Sequence, residues 1–161
     1  MSTMEARAPE TDRVGAAALQ AFWLLRIGFT VAPILFGIDK FFNWTVHWPD
    51  YLAGWINNIM PGTGQSFMYF VGVVEIVAGL VVLVAPVIGG PLVAAWLAGI
   101  VINLLTNNPP EYYDIALRDF GLFLGALTLT RLAWAFARRP VRAGSARPAA
   151  AARLRVGRSA T

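Results

Sequence analysis

Cysteine is absent from the 161-residue chain, and histidine occurs once, at His47. The first absence excludes a thiol or disulfide relay, a cysteine-bound iron–sulfur cluster and c-type haem attachment within this chain. The second leaves no partner imidazole at ligand spacing, so no metal site is expected and His47 reads as a loop residue. Charge is also scarce. Only 14% of residues are Asp, Glu, Lys or Arg, where a soluble domain carries about 25%. There is no nucleotide-binding glycine loop, because Gly72 and Gly79 lie inside an apolar run. No short apolar core followed by a cleavage-site pattern opens the chain, so residues 1–16 read as a polar leader rather than a signal peptide. Lysine and arginine are missing from residues 43–64 and 107–117.

What is present is apolar: 57% of the chain is hydrophobic, with a mean hydropathy of +0.59. The apolar residues gather in four stretches, which defines an all-α, polytopic membrane protein built as a four-transmembrane-helix bundle. The spans are expected near 17–42, 66–85, 91–105 and 114–136, forming one domain over 17–136. Residues 86–91 read as a tight turn, with Pro91 opening the third span. Residues 137–161 are rich in Ala, Arg and Pro without periodicity, and are expected to form a disordered basic tail.

The first connecting loop crowds Trp44, Trp48, Tyr51 and Trp55 into few residues. Pro49 opens a short helix there, Pro61-Gly62 ends it, and Leu52, Trp55, Ile56 and Ile59 share one face. The expectation is an interfacial helix capping the bundle, anchored by its aromatic belt or closing as an aromatic lid over a ligand. Eight arginines and no acidic residue follow Thr130, which places both termini on the cytoplasmic side of a plasma (inner) membrane. The tail lacks interleaved aromatics for base stacking, so no nucleic-acid partner is expected.

Charges inside spans cost roughly 2.5–3.5 kcal/mol each on insertion scales, so a span that carries one usually pairs or uses it. Counted from an entry at Ala17, Arg26 lies about 13 Å into the first span, and Glu75 lies about 16 Å above the end of the second. Both depths are near the midplane of a ~30 Å core, which predicts an Arg26–Glu75 buried charge pair. Asp39, Lys40, Asn103, Asn107, Arg118 and Asp119 form a second polar cluster near the outer surface, a candidate ligand site whose formal charges cancel. Arg26, Thr30, Pro33, Gly37 and Lys40 make one polar or small stripe along the first span, while Gly121 and Gly125 offer a surface for a homodimer.

Arg26, then Phe36-Gly-Ile-Asp-Lys-Phe41 ending the first span, together with Glu75-Ile-Val-Ala-Gly79-Leu80 and Arg118-Asp119, resemble the DoxX-type membrane proteins. The resemblance runs from about Ala18 to Ala135 and implies a membrane subunit associated with a redox system. Three functions follow as expectations. The first is a subunit, non-catalytic by itself, that docks or assembles a partner oxidoreductase; no cofactor ligand set is evident. The second is a quinone-binding small subunit, in which Asp39, Asp119 or Arg118 handles protons and the aromatics stack on the quinone ring. The third is a small-solute or proton transporter, disfavoured by the lack of an internal repeat.

Overall fold

The computed structural model describes residues 8–107 and 111–138, and everything described is helix or short connection. The order is α1 (Ala8–Phe42), a 3₁₀ turn (Trp48–Tyr51), α2 (Gly54–Ile59), α3 (Gly64–Val84), α4 (Pro86–Thr106) and α5 (Tyr113–Ala137). Among the described residues four helices are long and apolar enough to cross a membrane: Asp12–Phe42 of α1, then α3, α4 and α5. Residues 1–7 of the expected leader and 139–161 of the expected tail lie outside the described residues.

α1 starts nine residues earlier than the hydropathy pattern implied and runs unbroken through Pro33. It ends where Asn43 turns left-handed, at φ 53°, and gives its N–H to the Asp39 carbonyl at 2.7 Å. This is a helix C-terminal cap in which asparagine takes the place glycine usually holds. Thr63 caps the start of α3 by accepting from the Ser66 N–H at 3.2 Å.

The join between α3 and α4 differs from the expected turn at 86–91. Ala85 alone ends α3 and opens α4, with Pro86 in the first helical turn and Pro91 inside the helix. Gly89 and Gly90 serve close approach rather than turning: a Cβ at Gly89 would sit 2.5 Å from the Val82 Cα, and one at Gly90 would sit 2.6 Å from the Thr130 hydroxyl. Pro91 has no N–H to give the Val87 carbonyl one turn back, and the Trp134 indole donates to that oxygen instead, at 3.3 Å.

The bundle is two tight helix pairs, α1 with α3 and α4 with α5, joined by α3–α4 and α1–α5 contacts. The α1 stripe predicted from spacing faces α3. A Cβ on Gly37 would meet the Gly72 carbonyl oxygen at 2.6 Å, one on Gly72 the Gly37 oxygen at 2.6 Å, and one on Gly79 the Thr30 oxygen at 2.7 Å. Both contacts on each helix are seven residues apart, so two helical turns of backbone run nearly in touch, the packing small residues permit between membrane helices. Phe22, Phe29, Val82, Leu97 and Leu129 fill the main core. A smaller cluster of Leu52, Met68 and Val71, with Trp48 and Trp96 against it, lies under the first loop. Leu24, Leu35, Val84, Ile88 and Leu117 point outward and are well exposed, as lipid-facing side chains are.

Candidate functional site

The contact register between α1 and α3 decides which charges meet. Arg26 donates through Nη2 to the Leu83 carbonyl at 2.5 Å, in the last turn of α3. At that register the residue of α1 level with Glu75 lies about 12 Å further along the axis (~1.5 Å per residue). The expected Arg26–Glu75 pair therefore does not form. Glu75 pairs with Lys40, whose Nζ lies 2.7 Å from Oε2, with both side chains buried (5% and 8% exposed). The error lay in the assumed entry at Ala17: α1 is longer than a bilayer is thick, so its register could not be counted from its apolar start. Arg26 instead serves an orphan carbonyl and places a cation at the negative end of the α3 dipole.

Around the ion pair the loop end is built almost wholly from hydrogen bonds that hold the 43–60 segment down. The Lys40 ammonium sits 3.7 Å from the centre of the Trp48 ring, a cation–π contact in a desolvated place. Trp48 in turn donates its indole N–H to Asp39 Oδ2 at 2.8 Å. Asp39 also accepts from the Trp44 N–H at 2.9 Å, from the Thr45 N–H at 3.2 Å and from the Thr45 hydroxyl. Its carboxylate is thus neutralised by four donors from one loop rather than by Lys40 beside it. Gln65 on α3 joins the same group, donating to the Lys40 carbonyl at 3.0 Å and accepting from Asn43 Nδ2 at 2.9 Å.

α4 holds the other edge of the loop. Asn103 accepts from the Ala53 N–H at 2.9 Å and donates to the Tyr51 carbonyl at 2.7 Å, and Asn107 donates to the Asp50 carbonyl at 3.2 Å. These bonds draw Leu52 and Ala53 into the bundle as extended chain, both buried. The single interfacial helix expected from Pro49 onward is accordingly split into a 3₁₀ turn and the six-residue α2. Trp55 donates to the Thr106 hydroxyl at 2.9 Å while half its surface stays exposed, and Trp44 is more exposed still. Of the four predicted lid aromatics, only Trp48 covers the charges. Tyr51 stacks on Tyr112, with ring centres 4.5 Å apart. Burial first, then the Tyr51 phenol and the Asp50 carboxylate, push the Tyr112 phenol above its ordinary value.

Arg118 and Asp119 bond each other, Nε to Oδ1 at 3.0 Å, with Asp119 buried and Arg118 largely exposed. Asp119 lies within electrostatic range of Glu75. The predicted outer cluster is therefore two structures: loop tethers at Asp39, Asn103 and Asn107, and a buried charge group of Lys40, Glu75 and Asp119. Sequence reasoning missed Gln65, Thr45 and Trp96. The Trp96 indole nitrogen is buried and turned toward the Glu75 carboxylate. Gly121 and Gly125 do not form one surface, since Gly125 packs on Phe29 while Gly121 meets open space. Among the described residues no group of three or more His, Cys, Asp or Glu side chains could hold a metal ion.

Four membrane-length helices, an ion pair near the middle of α3 and a loop sewn over it define a polytopic membrane protein with a capped polar interior. The DoxX family model matches residues 21–105, which holds α1 from the Phe22 turn, the loop, α3 and nearly all of α4. The chain belongs to the DoxX family. No curated protein and no solved structure matches it.

Proposed function

We propose that this chain is a membrane subunit of a redox system that docks or assembles a partner oxidoreductase and is not the seat of the reaction. The observation that carries this reading is the use made of the loop-end polar groups. Asp39, Asn103 and Asn107 spend their side chains on the backbone and indole groups of one loop. Such bonding favours a fixed cap over a cleft that opens for substrate, and a fixed cap with exposed Trp44, Trp55 and Ile59 suits a docking platform. The arginine-rich tail supports a plasma-membrane placement with both termini cytoplasmic.

The test is recovery of the native complex with a tagged chain. Asn103→Ala, which frees the loop but spares the ion pair, is expected to lower recovery of the partner and activity in parallel. Full recovery of the complex with lost turnover would move the chemistry into this chain.

A second reading has one observation in its favour. The Trp96 N–H is a donor of the kind a quinone carbonyl takes up, and it lies beside the Glu75 carboxyl group, which once protonated can pass its proton on. Quinone titrated into the pure protein should then quench Trp96 fluorescence, and a Trp96→Phe variant should lose that response. No quench in the wild-type protein would end this reading.

A further inference from the structure

Two tryptophan–arginine steps mark the end of the bundle that carries the chain termini. On α1, Trp23 lies three residues before Arg26; on α5, Trp134 lies three residues after Arg131. The helices run antiparallel and in contact, with Phe22 against Phe136 (ring centres 5.4 Å) and Gly125 against Phe29. Arg26 and Arg131 are therefore at one level, each a turn deeper in the bundle than its tryptophan. Trp23 and Trp134 are both partly exposed, at 48% and 38%.

The same tryptophans measure the membrane. Trp23 to Phe42, the last residue of α1 and stacked on Trp44, is nineteen positions, about 28 Å, and Tyr113 to Trp134 along α5 is twenty-one, about 31 Å, at ~1.5 Å per residue. That matches a hydrocarbon core of about 30 Å flanked by aromatic belts. Arg26 and Arg131 then stand just inside the boundary of one leaflet, where a guanidinium must reach outward to the phosphates.

Among the described residues neither arginine has a carboxylate partner. Arg26 gives one Nη to the Leu83 carbonyl, stacks 4.9 Å over the Trp23 ring and keeps its Nε buried and unpaired. Arg131 and Arg138 are exposed and have no ion-pair partner among the described residues. Six more arginines and no acid follow Arg138 in the sequence. The loop end shows the contrast, since both of its cations, Lys40 and Arg118, are bonded to carboxylates.

We propose that this end of the bundle is a binding site for anionic phospholipid headgroups, held by the exposed guanidinium of Arg131, with Arg26 adding positive charge at the same depth. Arg138 extends the site toward the tail. The depth set by the two tryptophans points to lipid over a soluble anion, because free phosphate has no reason to seek guanidinium groups below the belt.

The experiment reconstitutes the full chain in vesicles of equal parts phosphatidylcholine and phosphatidylglycerol, extracts it gently and counts retained lipids by native mass spectrometry. Wild-type protein should retain phosphatidylglycerol in preference. R131Q should lower that preference about fivefold, the scale of one basic residue at an anionic surface. R26Q also removes the cap on α3, so R138Q, which touches no helix contact, is the second variant and should lower the preference as well. Glu111→Gln, at the other end, should leave it unchanged. Equal retention of the two lipids by wild type, or an undiminished preference in both R131Q and R138Q with native helicity, would overturn the proposal. So would loss of the wild-type preference on adding excess inorganic phosphate, which would mean a site for a free anion.

Discussion

Between Asp39 and Asp119 the chain carries six acidic residues and two basic ones, whereas the segments outside that range carry three acidic and eleven basic. The two ends also use their charges differently. At the loop end, Lys40 is spent on Glu75, Arg118 on Asp119, and Asp39 on four donors of its own loop. At the terminal end, Arg26 reaches a carbonyl and Arg131 and Arg138 face outward. One end consumes charge to build structure; the other presents charge to its surroundings. A membrane protein can carry so many ionisable groups because those at bilayer depth are neutralised in pairs, while the unpaired ones sit where a phosphate layer lies.

Four changes sharpen that contrast, from the most to the least disruptive. Gly72→Val would drive a side chain into the Gly37 carbonyl and separate α1 from α3, and with them Lys40 from Glu75. A loss of about 3 kcal/mol or more is expected, seen as little monodisperse protein in fluorescence-detected size exclusion. Asp39→Ala removes the acceptor of the loop donors, and a cost of about 2–3 kcal/mol is expected. Limited proteolysis should then cut within 44–52 while the helices stay protected. Trp134→Phe strands the Val87 carbonyl that Pro91 already leaves unserved, and thermal melting should show a loss of about 1 kcal/mol.

The smallest effect is at Tyr112. Its folded value is raised, so the native state holds this proton to higher pH than the unfolded chain does. The stability it contributes is full below about pH 10, the unfolded value, and is lost as pH rises through the higher folded one. A phenolate absorbance titration should show a late component that Tyr112→Phe removes, and the same change should flatten the alkaline end of the stability curve.

The sequence made the four spans and the aromatic loop legible because both are statements about composition and period. It made the polar stripe of α1 legible for the same reason. Register is a different kind of quantity. Counting depth from an apolar start assumed that helix and bilayer begin together, and α1 begins well before the bilayer does. A better ruler was present: Thr30 and Gly37 on α1, Gly72 and Gly79 on α3, two pairs with the same seven-residue spacing. Matched antiparallel, they bring Gly37 to Gly72 and Thr30 to Gly79, which places Lys40 rather than Arg26 within reach of Glu75. The tethering of the loop was not legible in that way. Asn103 and Asn107 read as polar surface of a span, and which backbone groups they serve depends on a loop conformation that no periodicity encodes.

The buried pair is the point on which the account turns, and a double-mutant cycle tests it directly. Melting temperatures in detergent would be compared for wild type, Lys40→Met, Glu75→Gln and the double variant. Each single change should cost about 3–5 kcal/mol by stranding a buried partner, and the double variant should recover much of the loss. Additive losses at Lys40 and Glu75, or recovery of Glu75→Gln by Arg26→Gln instead, would contradict it.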